Sequence, residues 1–402
     1  MSELRFGIIG CGVMGRLQAR VLTSYPPLAG RARLVAMASS SRDSAGARQA
    51  AAETGCASTD VASLLARDDI DAVSVCTPSG LHAELGRAAL AAGKHVMVEK
   101  PIDVSVRAAD QLIEAARQAG RVLAVMSQRR FDLASRIVRD ALEAGELGTP
   151  TSASVEVPLW HGRSYYASDG WRGTLALDGG GALINQGVHS LDLVQWLLGP
   201  VVEVKAHTAL LGHTGIGVED VVTASLRHAS GALTSLLTTT AAFPGRTTRL
   251  AVHGDRGSAV IDNDELVYFH AADAETDPLA EPGSLAEGAH GADNQADLRR
   301  PAGAAAGQER DSCGLLRGPH GEQLLDFCDA VADGRPPAVD GPAGREALRT
   351  ALAVYEAART GATVRVDRAA GENLRLMRTV PSPVPPPAGR WRGELFAAPG
   401  RR

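Results

Sequence analysis

Over the first 127 residues, short apolar runs alternate with amphipathic stretches. The run Leu4–Ile9 leads into the glycine-rich segment Gly10–Gly15, and a helix is predicted from about Arg16 to Leu22. Further apolar runs predict strands separated by helical patterns, at Leu34–Ala38, Ile70–Cys76, His95–Glu99 and Val122–Met126. Strands that alternate with helices through short connections predict an α/β domain with a doubly wound parallel sheet.

From Thr151 onwards the chain alternates apolar and polar positions, which is typical of half-buried strands in a mainly antiparallel sheet. Helices are predicted at about 183–198, 321–332 and 344–360. We therefore divide the chain into a parallel α/β domain at 1–127 and an α+β domain at 128–367. The predicted strands of the second domain are Ser152–Val157, Val201–Thr208, Val221–Leu226, Ala232–Thr240, Arg249–His253 and Ser258–Ile261.

Two segments lack a clear period. Residues 271–318 are rich in Ala, Gly, Asp and Glu, which predicts a long mobile loop. Residues 368–402 include the proline-rich run 381–387, which predicts a tail with little order.

Composition narrows the classes of function. A chain of 402 residues is long enough for two domains, and its net charge of -5 gives no basic surface for nucleic acid or membranes. The five cysteines have no paired spacing, so neither a zinc site nor a disulfide framework is expected. The N-terminus has no signal-peptide pattern, and no apolar run reaches about 18 residues. We therefore expect a cytoplasmic protein that acts on small molecules.

The segment Gly10–Gly15 has the spacing GxGxxG between a predicted strand and a predicted helix. In that setting the first glycine allows a tight turn, the second lets the backbone approach a pyrophosphate, and the third lets the helix pack on the strand. The N–H groups of the first helical turn then face the phosphates. This predicts a dinucleotide site formed by Gly10, Gly12, Val13, Met14 and Gly15.

The polar loop after the second predicted strand bears on the choice of cofactor. NAD enzymes usually have an acidic residue there for the ribose 2′-hydroxyl, but this chain has Ser39, Ser40 and Arg42. Hydroxyls and a guanidinium suit a 2′-phosphate, so NADP is favoured over NAD. The alternative is a solvated polar loop that does not discriminate between them.

Lys100 follows a buried strand and precedes Pro101, which is an unusual place for an ionisable side chain. Ligands of a doubly wound sheet bind at the carboxyl ends of its strands. Five residues lie at or just beyond such ends: Gly12, Ser39, Thr77, Lys100 and Gln128. We interpret the arrangement as a nicotinamide-dependent dehydrogenase with Lys100 at the point of hydride transfer.

In the second domain, Asn185, His189, Asp192 and Trp196 have spacings that place them along one helical face. The helix follows the run Asp178–Gly181, so its histidine could reach a ligand held over the first sheet. Taken alone, the pattern favours a partly buried structural histidine at His189 over a catalytic one. No residue pattern indicates a metal site.

These segments together resemble the glucose–fructose oxidoreductase/inositol dehydrogenase family (Gfo/Idh/MocA), from about Arg5 to Asp367. The resemblance implies a Rossmann domain, a C-terminal domain with a large open sheet, and NAD(P)-linked oxidation or reduction of sugars, polyols and related compounds. It also implies a homodimer or homotetramer that packs through the C-terminal sheet. The segments that carry it are Gly10–Gly15, Cys76–Pro78, His82–Glu84, Ala92–Val96, Glu99–Pro101, Gly179–Gly181 and His189–Asp192.

The resemblance also implies roles for individual residues. Lys100 matches the catalytic lysine that hydrogen-bonds the reacting oxygen, and His189 matches the usual acid/base. Glu99 matches a residue that holds the lysine's peptide near the nicotinamide. We expect the cofactor set to be completed by Thr77, Pro78, His82 and Gln128.

Substrate contacts are expected from Arg130, Tyr166, Trp171, Arg172 and Asn185, with Tyr165, His161 and Asp178 as further candidates. The family often has an aspartate where this chain has Asn185, and the segment Asn185–His189 resembles a branch that includes nucleotide-sugar uronate dehydrogenases. An amide cannot hold an imidazolium, so His189 is expected to titrate near neutrality. The alternatives for Arg130 and for the aromatic set are a solvated charge and hydrophobic packing.

Two functions of different classes remain open at this point. The first is an NAD(P)-dependent oxidoreductase that acts on a secondary hydroxyl or ketone of a sugar, polyol or nucleotide-sugar. The second is a catalytically silent dinucleotide-binding regulator with the same fold. The presence of both Lys100 and His189 favours the enzyme.

Overall fold

The computed structural model describes residues 3–39, 45–273, 275, 294–299 and 317–368. Its first sheet has six parallel strands in the order β3-β2-β1-β4-β5-β6, which confirms the predicted doubly wound sheet. The strands are β1 Leu4–Ile9, β2 Ala32–Ser39, β3 Ala57–Asp60, β4 Ala72–Val75, β5 His95–Val98 and β6 Leu123–Val125.

Helices connect these strands and cover both faces of the sheet. The first begins at Val13, directly after Gly12, and not at Arg16 as predicted. The strand order reverses between β1 and β4, so the crevice for a ligand opens between their carboxyl ends. The helices are α1 Val13–Ser24, α2 Ala45–Thr54, α3 Val61–Leu65, α4 His82–Ala91 and α5 Val106–Ala119.

The second sheet has eight strands in the order β13-β12-β11-β7-β10-β9-β8-β14. Its pairings are antiparallel except that between β7 and β10, which confirms the mainly antiparallel prediction. The two edge strands of this sheet, β13 and β14, were not predicted. The strands are β7 Pro150–Pro158, β8 Val201–Ala209, β9 Val221–His228, β10 Leu233–Thr239, β11 Arg249–Gly254, β12 Gly257–Asp262, β13 Glu265–Ala271 and β14 Val364–Arg365.

One face of the second sheet packs against helices, and strand β9 alternates buried and exposed side chains along its length. The helix predicted at 183–198 is a π-helical turn over Leu183–Gly187 followed by an α-helix. No helix within the described ranges is long and apolar enough to cross a lipid bilayer. The remaining helices are α6 Leu133–Glu143, α7 Arg163–Ala167, α8 Val188–Leu198, α9 Arg317–Asp333 and α10 Gly341–Thr360.

Helix α9 belongs to the core of the first domain, although it falls within the range 128–367 assigned to the second. The ring of Phe327 packs on that of Phe6 with centroids 5.9 Å apart. Gln323 Nε2 donates to the carbonyl oxygen of Val125 at 2.8 Å, and Gln323 Oε1 accepts from the backbone N–H of Ser127 at 2.8 Å. A single boundary after residue 127 therefore does not separate the domains.

Part of the predicted mobile loop 271–318 is packed. Residues Ala296–Arg299 form one 3-10 turn, and the Arg299 guanidinium lies over the ring of Phe269, 4.2 Å from its centroid. Asn294 Oδ1 accepts from the N–H of Phe269 at 3.1 Å, so this segment satisfies backbone groups of the edge strand β13. The predicted loop also overlaps the end of β13 at Ala271 and the start of α9 at Arg317. Residues 274, 276–293 and 300–316 of the loop, and the predicted tail from 369, lie outside the described residues.

Candidate active site

The first strand-to-helix turn has the geometry of a dinucleotide cradle. Gly10 has φ +110°, and a Cβ there would lie 2.3 Å from the carbonyl oxygen of Cys76. A Cβ on Gly15 would lie 1.8 Å from the carbonyl oxygen of Gly10, whereas one on Gly12 would meet nothing within 4 Å. Gly10 and Gly15 are therefore required for packing, and Gly12 leaves open space over the start of α1.

The start of α1 and the ends of the neighbouring strands present polar groups to that space. Gly12 is the N-cap of α1 and has no side chain to cap the N–H groups of the first turn, which includes Val13 and Met14. The buried atoms Thr77 Oγ1 and Gln128 Oε1 have no hydrogen-bond partner in the described part of the chain. These donors and acceptors fit a dinucleotide. Of the polar loop, Ser39 ends β2, while Ser40 and Arg42 lie outside the described residues.

His82 does not face the cradle, in contrast to the expected cofactor contact. Its side chain is buried, with Nδ1 2.8 Å from the carbonyl oxygen of Pro101 and Nε2 2.9 Å from that of Thr77. Burial lowers the pKa of His82. Both ring nitrogens are engaged by main-chain carbonyls, so His82 positions the segment after Pro78 against the segment that carries Lys100.

Glu99 is also engaged inside the protein, and its expected place near the cofactor stays a prediction. Its Oε1 accepts from Gln18 Nε2 at 2.7 Å, and Gln18 Oε1 accepts from Ser74 Oγ at 2.5 Å. Burial raises the pKa of Glu99, and the charge of Lys100 opposes that rise. Sequence analysis missed Gln18, although a polar residue on the apolar face of α1 was an available signal.

Lys100 reaches from the end of β5 into the second domain. Its Nζ donates to the main-chain carbonyl oxygen of Asn185 at 2.7 Å. Burial lowers the pKa of Lys100, while the carboxylates of Glu99 and Asp178 oppose that change. A lysine whose ammonium is partly destabilised in this way is suited to donate a hydrogen bond to a reacting oxygen.

His189 lies in the first turn of α8, close enough to Lys100 for the charge of the lysine to act on its imidazole. Its Nδ1 is buried and has no hydrogen-bond partner among the described residues. Burial lowers the pKa of His189 well below 6.5, and the charges of Lys100, Arg129 and His320 lower it further. This differs from the expected titration near neutrality, because the sequence did not reveal the burial of Nδ1 or the positive charges that face the ring.

The side chain of Asn185 bridges two other candidate residues. Its Nδ2 donates to Asp178 Oδ1 at 2.8 Å, and its Oδ1 accepts from the Tyr165 hydroxyl at 3.2 Å. Asp178 also accepts from the N–H of Gly173 at 2.8 Å, and burial raises its pKa. Asn185 therefore contacts Lys100 through its main-chain carbonyl and contacts Tyr165 and Asp178 through its side-chain amide.

Arg130 is committed to an internal ion pair, which differs from both interpretations offered by the sequence. Its Nε donates to Asp192 Oδ2 at 2.8 Å and its Nη2 donates to Asp192 Oδ1 at 2.5 Å. The guanidinium also lies 5.9 Å from the centroid of the Trp196 ring. Because Ser127 also donates to Asp192, the pair fixes α8 against the end of the first domain. The expected contact of Arg130 with a substrate stays a prediction.

Aromatic side chains from α7 and its flanking loops form a wall beside Asn185. The Tyr165 ring lies between His161, with centroids 3.8 Å apart, and the Arg172 guanidinium at 4.3 Å. Arg172 also lies 4.8 Å from the Trp171 ring, and the Tyr166 hydroxyl is 2.9 Å from Thr240 Oγ1. These residues pack on one another, and their expected contacts with a substrate stay a prediction.

Burial has different consequences for two members of this wall. It lowers the pKa of His161 to about 4, helped by the charges of Arg172 and His213, so this imidazole is neutral at pH 7. It raises the pKa of Tyr166 to about 12.

Among the described residues, no group of three His, Cys, Asp or Glu side chains could hold a metal ion.

Known proteins are similar to this chain in both sequence and architecture. Residues 4–127 match the oxidoreductase family with an NAD-binding Rossmann fold, and residues 135–260 match the GFO/IDH/MocA C-terminal domain. The 1,5-anhydro-D-fructose reductase of Ensifer adhaerens is 30% identical over 375 residues, which cover 90% of this chain and 98% of the relative.

A second relative is the dTDP-3,4-didehydro-2,6-dideoxy-alpha-D-glucose 3-reductase of Streptomyces violaceoruber, 35% identical over 57% of this chain and 68% of its own. Among solved structures, the WlbA dehydrogenase from Bordetella pertussis, in complex with NADH and UDP-GlcNAcA, has a TM-score of 0.75 at 26% identity, covering 90% of this chain and 98% of its own. The chain belongs to the GFO/IDH/MocA family of oxidoreductases, with an NAD(P)-binding Rossmann domain.

Proposed function

We propose that this protein transfers a hydride between a nicotinamide dinucleotide and a secondary hydroxyl, or the matching ketone, of a sugar, polyol or nucleotide-sugar. The observation that carries the proposal is the proximity of Lys100 to His189: the lysine ammonium bonds the Asn185 carbonyl, one helical turn before His189, and its charge acts on the imidazole. The cradle over Gly12 opens at the carboxyl ends of the strands of the first sheet, where Lys100 also lies.

The nicotinamide supplies the hydride acceptor or donor, and the protein supplies the charge and the proton transfer. Lys100 Nζ exchanges its bond to the Asn185 carbonyl for one to the substrate oxygen, and there it stabilises developing negative charge. His189 has a lowered pKa, so its imidazole is neutral at pH 7 and accepts the hydroxyl proton during oxidation. In the reverse direction the same groups donate to the ketone oxygen.

The wall of Tyr165, Tyr166, Trp171 and Arg172 supports a sugar-like substrate. Aromatic faces cover apolar C–H surfaces of a sugar, and Arg172 and Asn185 supply hydrogen bonds to hydroxyl groups. The relatives' names include an anhydrofructose reductase and a reductase of a dTDP-linked sugar, and the WlbA structure contains a UDP-linked sugar. We therefore include nucleotide-sugars in the substrate class.

Three finer features of this function are also proposed. NADP binds more tightly than NAD, because the hydroxyl groups and the guanidinium of the loop Ser39–Arg42 suit a 2′-phosphate. A homodimer or homotetramer forms through the second sheet, whose outer face exposes small and polar side chains such as Thr223 and Ser225. The protein acts in the cytoplasm.

The test is a panel of sugars, inositols and nucleotide-sugars, followed by the absorbance of the reduced nicotinamide with both NAD and NADP. The expected result is turnover of at least one member, which is lost in Lys100→Met. Binding of dinucleotide without turnover of any member would favour the alternative, a silent regulator. Sedimentation velocity in the same buffers measures the proposed oligomer.

A further inference from the structure

The buried carboxylate of Glu219, which is not among the proposed catalytic residues, accepts hydrogen bonds from the segment that precedes α8. Glu219 lies just before β9 and is 4% exposed. Its Oε2 accepts from the N–H of Gly181 at 2.9 Å, and its Oε1 accepts from the N–H of Leu183 at 3.0 Å. The Tyr355 hydroxyl of α10 also donates to Oε1, at 2.9 Å.

The triple glycine Gly179–Gly181 allows this close approach. A Cβ on Gly180 would lie 2.2 Å from the Tyr355 hydroxyl, and a Cβ on Gly181 would lie 1.7 Å from the carbonyl oxygen of Glu219. The glycine motif therefore matches the shape of the Glu219–Tyr355 pair, and it does not act only as a flexible turn before the helix.

The segment that Glu219 holds is connected by one helical turn to the acceptor of the Lys100 ammonium. The carbonyl oxygen of Gly181 accepts from the N–H of Asn185 at 3.1 Å. The carbonyl oxygen of Asn185 then accepts from Lys100 Nζ at 2.7 Å. A shift of Gly181 or Leu183 is thereby transmitted through one helical turn to the acceptor of the lysine ammonium.

We propose that Glu219 and Tyr355 are positioning residues of the active site, which hold the turn Gly181–Asn185 so that its carbonyl oxygen supports the charged form of Lys100. The inference rests on the proposed function only in treating Lys100 as an active-site residue. A carbonyl acceptor favours an ammonium over a neutral amine, so loosening the pair lowers the pKa of Lys100. The charged or titratable groups that interact with Lys100 are Glu99, Asp178, Arg129, Arg172, His189 and His82.

Conservative substitutions can test the Glu219–Tyr355 pair. Burial raises the pKa of Glu219 to about 7, while its three donors favour the carboxylate. Glu219→Gln keeps the shape but turns an amide nitrogen towards a donor, and Tyr355→Phe removes only a hydroxyl. Tyr25→Phe is a matched control, because the Tyr25 hydroxyl donates to Glu322 at 2.7 Å at the far end of α1.

The chain offers a direct measurement that needs no substrate, because it has only three lysines, Lys94, Lys100 and Lys205. Trace acetylation of the full-length protein across a pH series, quantified by mass spectrometry, gives the titration midpoint of Lys100, with the other two lysines as references in the same digest. We expect Glu219→Gln and Tyr355→Phe to lower the Lys100 midpoint by about half a pH unit, since a hydrogen bond to a charged group is weakened. Tyr25→Phe leaves it unchanged.

Hydrogen exchange of peptides that cover 179–187 is the second readout, with faster exchange expected in Tyr355→Phe than in Tyr25→Phe. If Glu219→Gln does not fold, Tyr355→Phe decides. A Lys100 midpoint equal to that of the wild type in folded Tyr355→Phe would overturn the proposal. Failure of the substrate panel would instead count against the proposed function, because the labelling result does not depend on turnover.

Discussion

Lys100 Nζ, at the end of β5 in the first sheet, donates a hydrogen bond of 2.7 Å to the main-chain carbonyl oxygen of Asn185 in the second domain. The lysine is therefore positioned by both domains. The carbonyl is a neutral acceptor, so a substrate oxygen can replace it without separating an ion pair. His189 follows Asn185 by four residues, and the charge of Lys100 acts on its imidazole.

Removal of the lysine ammonium should abolish most of the activity. Lys100→Met is expected to lower turnover by about 100-fold or more, because one preorganised donor to a developing charge is lost. Dinucleotide affinity, measured by fluorescence titration, should stay within about threefold. Lys94→Met, at the opposite end of β5, is the control and should keep turnover within about twofold. Near-normal turnover in Lys100→Met would remove Lys100 from the mechanism.

The pH profile should report His189 on the acid side. A general base must be neutral, and the pKa of His189 is lowered well below 6.5, so the oxidation rate should rise with pH only below 6.5 and be level through neutrality. His189→Asn should slow the reaction and flatten this limb. On the alkaline side the rate should fall as Lys100 loses its proton. Because the pKa of Lys100 is lowered, the midpoint of this fall should lie below pH 10.5. A substrate for which hydride transfer limits the rate is needed, and an unchanged acid limb in His189→Asn would assign the base to another group.

The open space over Gly12 predicts separable effects on binding and folding. Gly12→Ala should weaken dinucleotide binding by about tenfold or more, because its methyl group enters the space for the pyrophosphate. The free energy of unfolding without cofactor should be unchanged. Gly15→Ala is the contrast, since its Cβ would lie 1.8 Å from a carbonyl oxygen and should destabilise the fold. Unaltered affinity in Gly12→Ala would place the cofactor elsewhere.

The cofactor preference can be reversed at the end of β2. Wild-type protein should bind NADPH more tightly than NADH, and Ser39→Asp should favour NADH by about tenfold, equivalent to about 1.4 kcal/mol. A carboxylate repels a 2′-phosphate and accepts from a 2′-hydroxyl. Titration of cofactor fluorescence measures both affinities. A wild-type preference for NADH would show that the polar loop does not discriminate as predicted.

The buried amide of Gln18 should matter for stability. Gln18→Leu leaves Glu99 Oε1 and Ser74 Oγ without their partner and should lower the free energy of unfolding by about 1–3 kcal/mol. Gln49→Leu removes an exposed amide–carboxylate contact on α2 and should change it by less than about 0.5 kcal/mol. Urea denaturation of the cofactor-free protein compares the two. Equal stabilities would mean that other groups or water satisfy Glu99.

Features that depend on local pattern could be predicted from the sequence. The alternation of strands and helices, the turn Gly10–Gly15 and the position of Lys100 at a strand end follow from hydrophobic period and strand direction. Because parallel strands end at one edge of a sheet, the gathering of Gly12, Thr77 and Lys100 at that edge also follows. Helix α1 was predicted three residues too short at its start.

Features that depend on distant partners were decided only by tertiary structure. The Lys100–Asn185, Glu99–Gln18 and Arg130–Asp192 contacts join residues 85, 81 and 62 positions apart, which no local period encodes. The same packing pairs His82 with carbonyl groups, places α9 against the first domain and buries Nδ1 of His189. The sequence by itself determined the parallel sheet, the dinucleotide turn and the chemistry available at one edge. Packing between the two domains decided which of those groups remain for a substrate, because burial and hydrogen bonding are properties of the folded chain.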